Sequence, residues 1–143
     1  MSLQTVKFFT KALASSSAVA QAVAGRVSPV GRPIEAEQRD EIPYVVVMPD
    51  GIEEVLTKDG CVEETAPVTL IVVAETFASL VDLAQAVRDA VEEGERESES
   101  WNFKVADLTF SAAAPQIDAQ KPCYFQELHW SVITEKAEEN GND

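Results

Sequence analysis

The sequence predicts an α+β fold in which two helices pack on a mainly antiparallel sheet of four to five strands. Residues 67–94 have the pattern of one buried strand followed directly by one amphipathic helix, and residues 4–24 have the pattern of a second amphipathic helix. Two further strand patterns follow one another near the end of the chain. Because no crossover helix separates them, we expect those strands to pair antiparallel.

The length and composition indicate one globular domain. A chain of 143 residues with 45% hydrophobic and 25% charged residues is large enough to bury a core and too apolar to be disordered over most of its length. We expect residues 1–136 to form a single α+β domain and residues 137–143 to form a disordered acidic tail.

The strongly acidic balance limits the classes of partner. The 25 Asp and Glu residues outnumber 11 Lys and Arg residues, which gives a formal net charge of -14. Tight binding to nucleic acid draws its affinity from Lys and Arg at phosphates, so this chain is predicted not to grip DNA or RNA, or an acidic membrane surface. DNA passing close to such a chain would be repelled rather than held.

The first helix is predicted over residues 4–24, with Val6, Phe9 and Leu13 on one face. Residues 15–17 are all serine and weaken its middle, because serine side chains compete for backbone hydrogen bonds. Gly25 stands where a C-terminal cap is expected. No run reaches the roughly 18 apolar residues of a membrane span, and lysines interrupt the N-terminal segment, so we expect a soluble intracellular protein.

Prolines and turn residues separate the next segments. Residues 26–41 are predicted as an extended loop, and residues 42–49 (IPYVVVMP) as a strand with proline near each end. The turn signals Asp50-Gly51 and Asp59-Gly60 enclose a protruding hairpin or a flexible arm. Its apolar residues exceed what an isolated monomer exposes, and they are predicted to lie at a subunit or partner interface: Ile52, Val55 and Leu56.

The strand Val68–Ala74 is apolar at nearly every position. Such a run fits a strand covered on both faces, either within the chain or by a partner. If the helices cover one face of this strand, its other face is left for a second subunit. The predicted interface set on this strand is Val68, Leu70 and Val72, or alternately Thr69, Ile71 and Val73.

The following helix is predicted to begin after Thr76 as its N-cap and to end at Gly94, with residues 95–100 as a charged loop. Its predicted buried face consists of Phe77, Leu80, Val81, Ala84, Val87 and Val91. A strand with a bulge near Ala106 is predicted over residues 101–110, then a loop, then a final strand over residues 123–134. In that strand Leu128, Trp130 and Val132 form the predicted buried face.

No chemistry is predicted from the residues. His129 is the one histidine, and its position within a strand favours an ordinary structural side chain over a catalytic or metal role. Cys61 and Cys123 lie far apart and outside any metal-binding spacing, which favours reduced thiols. There is no phosphate-binding glycine motif. We therefore predict no catalytic, cofactor-binding or metal-binding residue.

The order of segments resembles the tailed-bacteriophage tail completion, or tail terminator, family. The resemblance covers roughly residues 5–135 and rests on Gly25-Arg26-Val27 with Pro29, on Ile42-Pro43-Tyr44, on LAQAVRDA at residues 83–90, and on the aromatic final strand. The long acidic hairpin from Asp50 to Glu64 departs from the family pattern. These motifs mark the fold, so no functional residue is carried over.

The resemblance implies a structural virion protein of a phage or prophage that has no enzymatic activity. Such a subunit assembles with itself into a ring, expected to be a hexamer, which caps the tail tube and joins it to the head. Its other partners would be the tail tube protein and a head-completion or neck protein. It would be found in the host cytoplasm during assembly and then in the virion. A head-completion role, and a small ligand-binding module or enzyme, are the alternatives.

Overall fold

A computed structural model of the chain describes residues 4–23, 27–29, 42–49, 53–56, 61–97, 104–118 and 123–137. The described helices are α1 (Gln4–Ser15), α2 (Ser17–Val23) and α3 (Phe77–Glu97). The described strands are β1 (Val27–Pro29), β2 (Tyr44–Pro49), β3 (Glu53–Leu56), β4 (Cys61–Ala74), β5 (Lys104–Ala112), β6 (Gln116–Asp118) and β7 (Cys123–Ala137). The predicted α+β class with a mainly antiparallel sheet is confirmed.

All described strands belong to one sheet with the main order β1-β2-β4-β7-β5. The central pair is β4 with β7, antiparallel over the full length of β4 from Cys61 to Ala74. Strands β2 and β3 lie end to end along the other edge of β4, and β5 and β6 lie end to end along the other edge of β7. Only β1 pairs parallel, with β2.

The helices pack on one face of the sheet and form a single core with it. Antiparallel register places Leu70 of β4 beside Leu128 of β7, and Val68 beside Trp130, on this face. The predicted burial of Leu128, Trp130 and Val132 is confirmed. Phe9 of α1 reaches the Trp130 ring at a centroid distance of 5.5 Å. The helical side of the core comprises Phe8, Phe9, Leu13, Val19, Val23, Leu80, Leu83, Val87 and Val91.

The predicted first helix is broken in two at Ser16. The hydroxyl of Ser16 accepts a hydrogen bond from the amide of Val19 at 3.3 Å, and its carbonyl accepts one from the amide of Ala20 at 2.9 Å. Ser16 is therefore the N-cap of α2. The serine run that was expected only to weaken the helix gives the chain a cap at which a second helix starts.

Helix α3 begins as predicted and ends later than predicted. Thr76 is its N-cap, because the Thr76 hydroxyl accepts a hydrogen bond from the amide of Ser79 at 3.1 Å. The prediction that Gly94 ends the helix is wrong, since α3 continues to Glu97 and Gly94 is buried in it. Gly94 lies on the helix face that meets α1 and α2, where the absence of a side chain permits close approach.

Short strands account for the other differences. β1 and β6 have three residues each and fall in segments predicted as loops. The predicted bulge near Ala106 is confirmed by a register shift between Val105 and Asp107. The predicted hairpin is present as β3 paired with β4. β7 runs to Ala137, three residues beyond the predicted end of that strand, and residues 138–143 lie outside the described residues.

Within the described residues, no helix is both long enough and apolar enough to cross a membrane.

Candidate functional site

His129 lies on the face of the sheet that is not covered by the described helices. Its Nδ1 is 3.0 Å from the hydroxyl oxygen of Thr69 on β4, which is its register partner. Its Nε2 is 3.7 Å from Oε1 of Glu127, two residues earlier on β7. The sheet thus places a hydroxyl, an imidazole and a carboxyl group in a row, which is the set of groups that a nucleophilic triad uses.

The geometry does not support catalysis by this row. The residue that would act as nucleophile, Thr69, is 6% exposed, so a substrate carbonyl has no route to its oxygen. The residues on both sides of Thr69 are paired with β7 in the β4–β7 ladder, so this part of the backbone does not offer a pair of free amides to an oxyanion. None of the three grooves described below is lined by these side chains. The arrangement is that of a cross-strand polar pair with a neighbouring carboxyl group.

The cysteines lie at opposite ends of the long central strands. Cys61 is at the first position of β4, opposite Ala137, whereas Cys123 starts β7 close to the far end of β4. The 14 residues of β4 from Cys61 to Ala74 span about 43 Å at the usual strand rise of about 3.3 Å per residue, so the two cysteines lie too far apart to bridge within one chain. Among the described residues, no group of three His, Cys, Asp or Glu residues could hold a metal ion.

A carboxyl group is buried at the N-terminal end of α1. Oε1 of Glu64 accepts hydrogen bonds from the Thr5 amide at 3.0 Å and the Thr5 hydroxyl at 2.8 Å, and Glu64 is fully buried. In the described part of the chain, Oε2 of Glu64 and the hydroxyl of Thr134 make no hydrogen bond, although Glu64 and Thr134 are register partners. Glu64 therefore acts as a distant cap that ties the first turn of α1 to β4.

Three surface grooves border the helices. One of about 430 Å³ lies where the α1–α2 junction meets the C-terminal half of α3, and one of about 440 Å³ lies between α2 and the start of α3. In the first, Arg96 is hydrogen-bonded to Glu93, and this bond with the attraction of the Glu93 carboxylate raises the pKa of Arg96. A third groove of about 250 Å³ lies between α3 and strands β5 and β7, with Pro115 at its border. The first groove carries serine hydroxyls of the α1–α2 junction beside carboxylates of α3, and no histidine or cysteine of the described residues lines any of the three grooves.

Three large apolar side chains of the described residues are exposed, and one of them, Val81, lines the third groove. Phe77 is 54% exposed, Val81 47% and Ile117 61%. The Phe77 ring meets the Tyr124 ring at 6.0 Å, and Ile117 is the register partner of Tyr124. Val81 lines the groove together with Pro115. We call Phe77, Val81, Pro115, Ile117 and Tyr124 the apolar patch.

The exposure of Phe77 and Val81 corrects part of the prediction for the buried face of α3. Phe77 and Val81 were expected to be buried with Leu80, Val87 and the other members of that face. Leu80, Leu83, Val87 and Val91 are buried in the core, whereas Phe77 lies against Tyr124 of β7 and Val81 lines the third groove, and both of these are exposed.

The second surface is the face of the sheet opposite the described helices. Cross-strand register aligns Tyr44 with Val73 and Phe125, and Val46 with Ile71 and Glu127. We call this surface the open face, and its half-buried members are Tyr44, Val46, Met48, Ile71, Phe125, Glu127 and His129. It combines apolar side chains of β2, β4 and β7 with the polar Glu127 and His129 of β7.

The structure places the predicted interface residues in different surroundings. Val68, Leu70 and Val72 are 1%, 0% and 0% exposed, so they are buried in the core of the chain itself. On that face Thr69 and Val73 are 6% and 5% exposed between their cross-strand neighbours, and Ile71 is half-buried in the open face. Val55 and Leu56 belong to β3 in the predicted hairpin, and Ile52 lies outside the described residues.

Sequence reasoning missed the apolar patch because an exposed and a buried apolar position on one helix look alike in the sequence. Ile117 gave a clearer signal, since an isoleucine within a loop-like segment rich in alanine and proline has no assigned role in the core.

Comparison with known proteins identifies a relative in fold. No family model and no curated protein matches the chain. Among solved structures, the chain is similar to a chain of the virion of a native gene transfer agent (GTA) particle, with a TM-score of 0.62 and 17% sequence identity. The match covers 89% of this chain and 91% of that chain. Likeness at this identity shows that the two chains share a fold over nearly their whole lengths.

Proposed function

We propose that the chain is a structural subunit of a phage or prophage virion and that it forms a ring which terminates the tail tube and joins it to the head. The observation that carries the proposal is the fold shared with a chain of a gene transfer agent virion over 89% of this chain and 91% of that chain. The order of segments, which resembles the tail terminator family, supports the same assignment.

The surfaces of the chain fit such a role better than an enzymatic one. A subunit of an assembly needs apolar surface beyond its own core, and the apolar patch and the open face supply it on two sides of the molecule. A tail-terminating ring also surrounds the path of the DNA. A formal charge of -14 would let DNA pass through without sticking to the protein.

The partners in this proposal are further copies of the chain in a hexamer, the tail tube protein below the ring and a head-completion or neck protein above it. The ring would assemble in the host cytoplasm and remain in the virion at the head–tail junction. No cofactor and no metal enters the function.

The test has two parts. Purified chain is expected to form a ring of about six subunits by mass photometry and negative-stain electron microscopy, and a strictly monomeric chain at high micromolar concentration would refute the ring. In the phage or prophage, deletion of the gene is expected to give tail tubes of unregulated length together with tailless heads. Tailless heads beside tails of normal length would instead indicate a head-completion protein.

A further inference from the structure

We propose that the second groove, between α2 and the start of α3, binds a lysine or arginine side chain on a basic segment of a different protein of the same virion. The inference rests on the proposed function, and it adds one surface of the chain and the chemistry of the partner that this surface fits. The groove has a volume of about 440 Å³. That volume is in the range of about 300–1,000 Å³ that is usual for binding pockets.

The apolar lining of the groove is the first argument. Ala18 and Ala22 are one turn apart on α2, and Ala86 lines the groove from α3. Leu83 and Ala74, which are 4% and 0% exposed, line it from the core. The aliphatic part of a lysine or arginine side chain packs on apolar surface of this kind while the charged head group stays at the border.

The charge of the groove is the second argument, and it selects a cation as the occupant. In the described part of the chain, the charged residues that line the groove are Glu75 and Asp82, and both are exposed. Neither carboxylate forms an ion pair with a described residue. The dipole of α3 stabilises negative charge at its first turn, which accounts for Glu75 beside the N-cap Thr76. It does not account for Asp82, which lies in the second turn.

The other two grooves differ from the second in that each already contains a paired cation. Arg96 in the first groove is bonded to Glu93, and Arg88 in the third is ion-paired with Glu92 at 3.2 Å. Asp82 cannot be paired in this way along its own helix, because α3 has no lysine or arginine before Arg88, six residues later. The second groove therefore lacks the cation that the other two have from the chain itself.

The net charge indicates which class of molecule supplies the cation. A second copy of the chain brings the same formal charge of -14, and nucleic acid is a polyanion, so both are poor sources. A different protein with a basic surface is attracted to this chain, and unpaired carboxylates at an apolar groove fix the place where its cation binds. A ring at the end of a tail tube has such neighbours, since it contacts proteins other than itself.

Photocrosslinking in assembled virions tests the occupant. The photoreactive residue benzoylphenylalanine replaces Ala22 in the groove, and the same replacement of Thr10, which is exposed on α1 outside the groove, is the control. Mass spectrometry of irradiated virions identifies the crosslinked peptide. From position 22 we expect a peptide of a different virion protein with a lysine or arginine next to the crosslinked residue. A crosslink to this chain itself, or no crosslink from position 22, overturns the inference.

Charge reversal tests the cation. The protein found by crosslinking is purified whole, labelled with a fluorophore and titrated with the full-length chain by fluorescence anisotropy. Asp82→Lys is expected to raise the dissociation constant at least about tenfold, because it places a cation against a cation. The matched control is Asp89→Lys, an equal change of charge at an exposed position of α3 outside the groove. It lies two turns away, about 10 Å along the helix, where salt screens much of its charge, so we expect a change within about twofold.

A compensating change in the partner completes the test. Replacement of the partner's basic residue by glutamate is expected to weaken binding to the wild type and to restore at least about tenfold of affinity to the Asp82→Lys chain. Circular dichroism establishes that all variants are folded. Equal effects of Asp82→Lys and Asp89→Lys, or no recovery in the exchanged pair, overturn the inference while the proposed function stands. Absence of the chain from purified virions refutes the proposed function itself.

Discussion

Glu64 offers the sharpest test of how the fold is held together. Its Oε1 is the acceptor for two donors of Thr5, at 3.0 Å from the amide and 2.8 Å from the hydroxyl, and both Thr5 and Glu64 are fully buried. Glu64→Ala removes the acceptor and leaves two buried donors without a partner. Each such donor costs about 1–3 kcal/mol of stability.

The second oxygen of Glu64 reduces that cost. Because Oε2 makes no hydrogen bond among the described residues, its removal relieves a desolvation penalty of about the same size as one lost bond. We therefore expect Glu64→Ala to lower the free energy of unfolding by about 1–3 kcal/mol rather than by the full sum of about 2–6 kcal/mol. Glu64→Gln keeps an acceptor for Thr5 and puts an N–H donor near the unpaired Thr134 hydroxyl. Its stability should lie within about 1 kcal/mol of the wild type.

The assay is urea unfolding followed by circular dichroism at one fixed protein concentration, since assembly makes apparent stability depend on concentration. Glu63→Ala is the matched control, because Glu63 is the neighbouring glutamate on the other face of β4 and is partly exposed. We expect that control within about 0.5 kcal/mol of the wild type. If Glu64→Ala costs no more than Glu63→Ala, the tie between β4 and α1 does not stabilise the fold. If Glu64→Gln costs as much as Glu64→Ala, the site needs a second carboxyl oxygen and not a donor.

The remaining predictions are measured by the same unfolding assay. Trp130→Ala should lower the free energy of unfolding by about 3–5 kcal/mol, because the Trp130 ring contacts the rings of Phe9 and Phe110 at centroid distances of 5.5 Å and 4.8 Å. A loss below about 1.5 kcal/mol would mean that the core closes over the space left by the ring. Ser16→Ala should cost about 0.5–2 kcal/mol through the lost cap of α2, and an unchanged midpoint would contradict the assignment of Ser16 as a cap. Gly94→Leu should lower the free energy of unfolding by about 1–3 kcal/mol through overpacking, because Gly94 is buried in α3. Glu93→Leu at the neighbouring exposed position should not have this effect. Equal effects of the two substitutions would refute the close helix approach at Gly94.

The parts of the fold that the sequence predicted well are those with long, regular periodicity. The alternation from Tyr124 to Val132 and the strand-to-helix sequence ending in α3 each extend over nine or more residues, so local pattern and tertiary burial agree. The N-cap Thr76 and the bulge near Ala106 were predictable because each has a local chemical or phase signal.

The parts that escaped prediction depend on partners distant in sequence. β1 and β6 are three-residue strands whose pairing is decided by β2 and β7 and not by their own composition. The continuation of α3 through Gly94 depends on the close packing of α1 and α2 against it. Burial of Glu64 depends on Thr5, 59 residues earlier in the chain, which no local pattern near Glu64 reveals.

The apolar patch was not predicted for a different reason. For Phe77 and Val81 the helical period was recognised correctly, but the period alone does not show how far the buried core extends beneath a helix. Phe77 lies against the Tyr124 ring near the start of β7, and Val81 lines a groove together with Arg88, which is ion-paired with Glu92 at 3.2 Å. An apolar helix face that is wider than the buried core therefore marks surface beyond the core, and it does not indicate a wrong helical period.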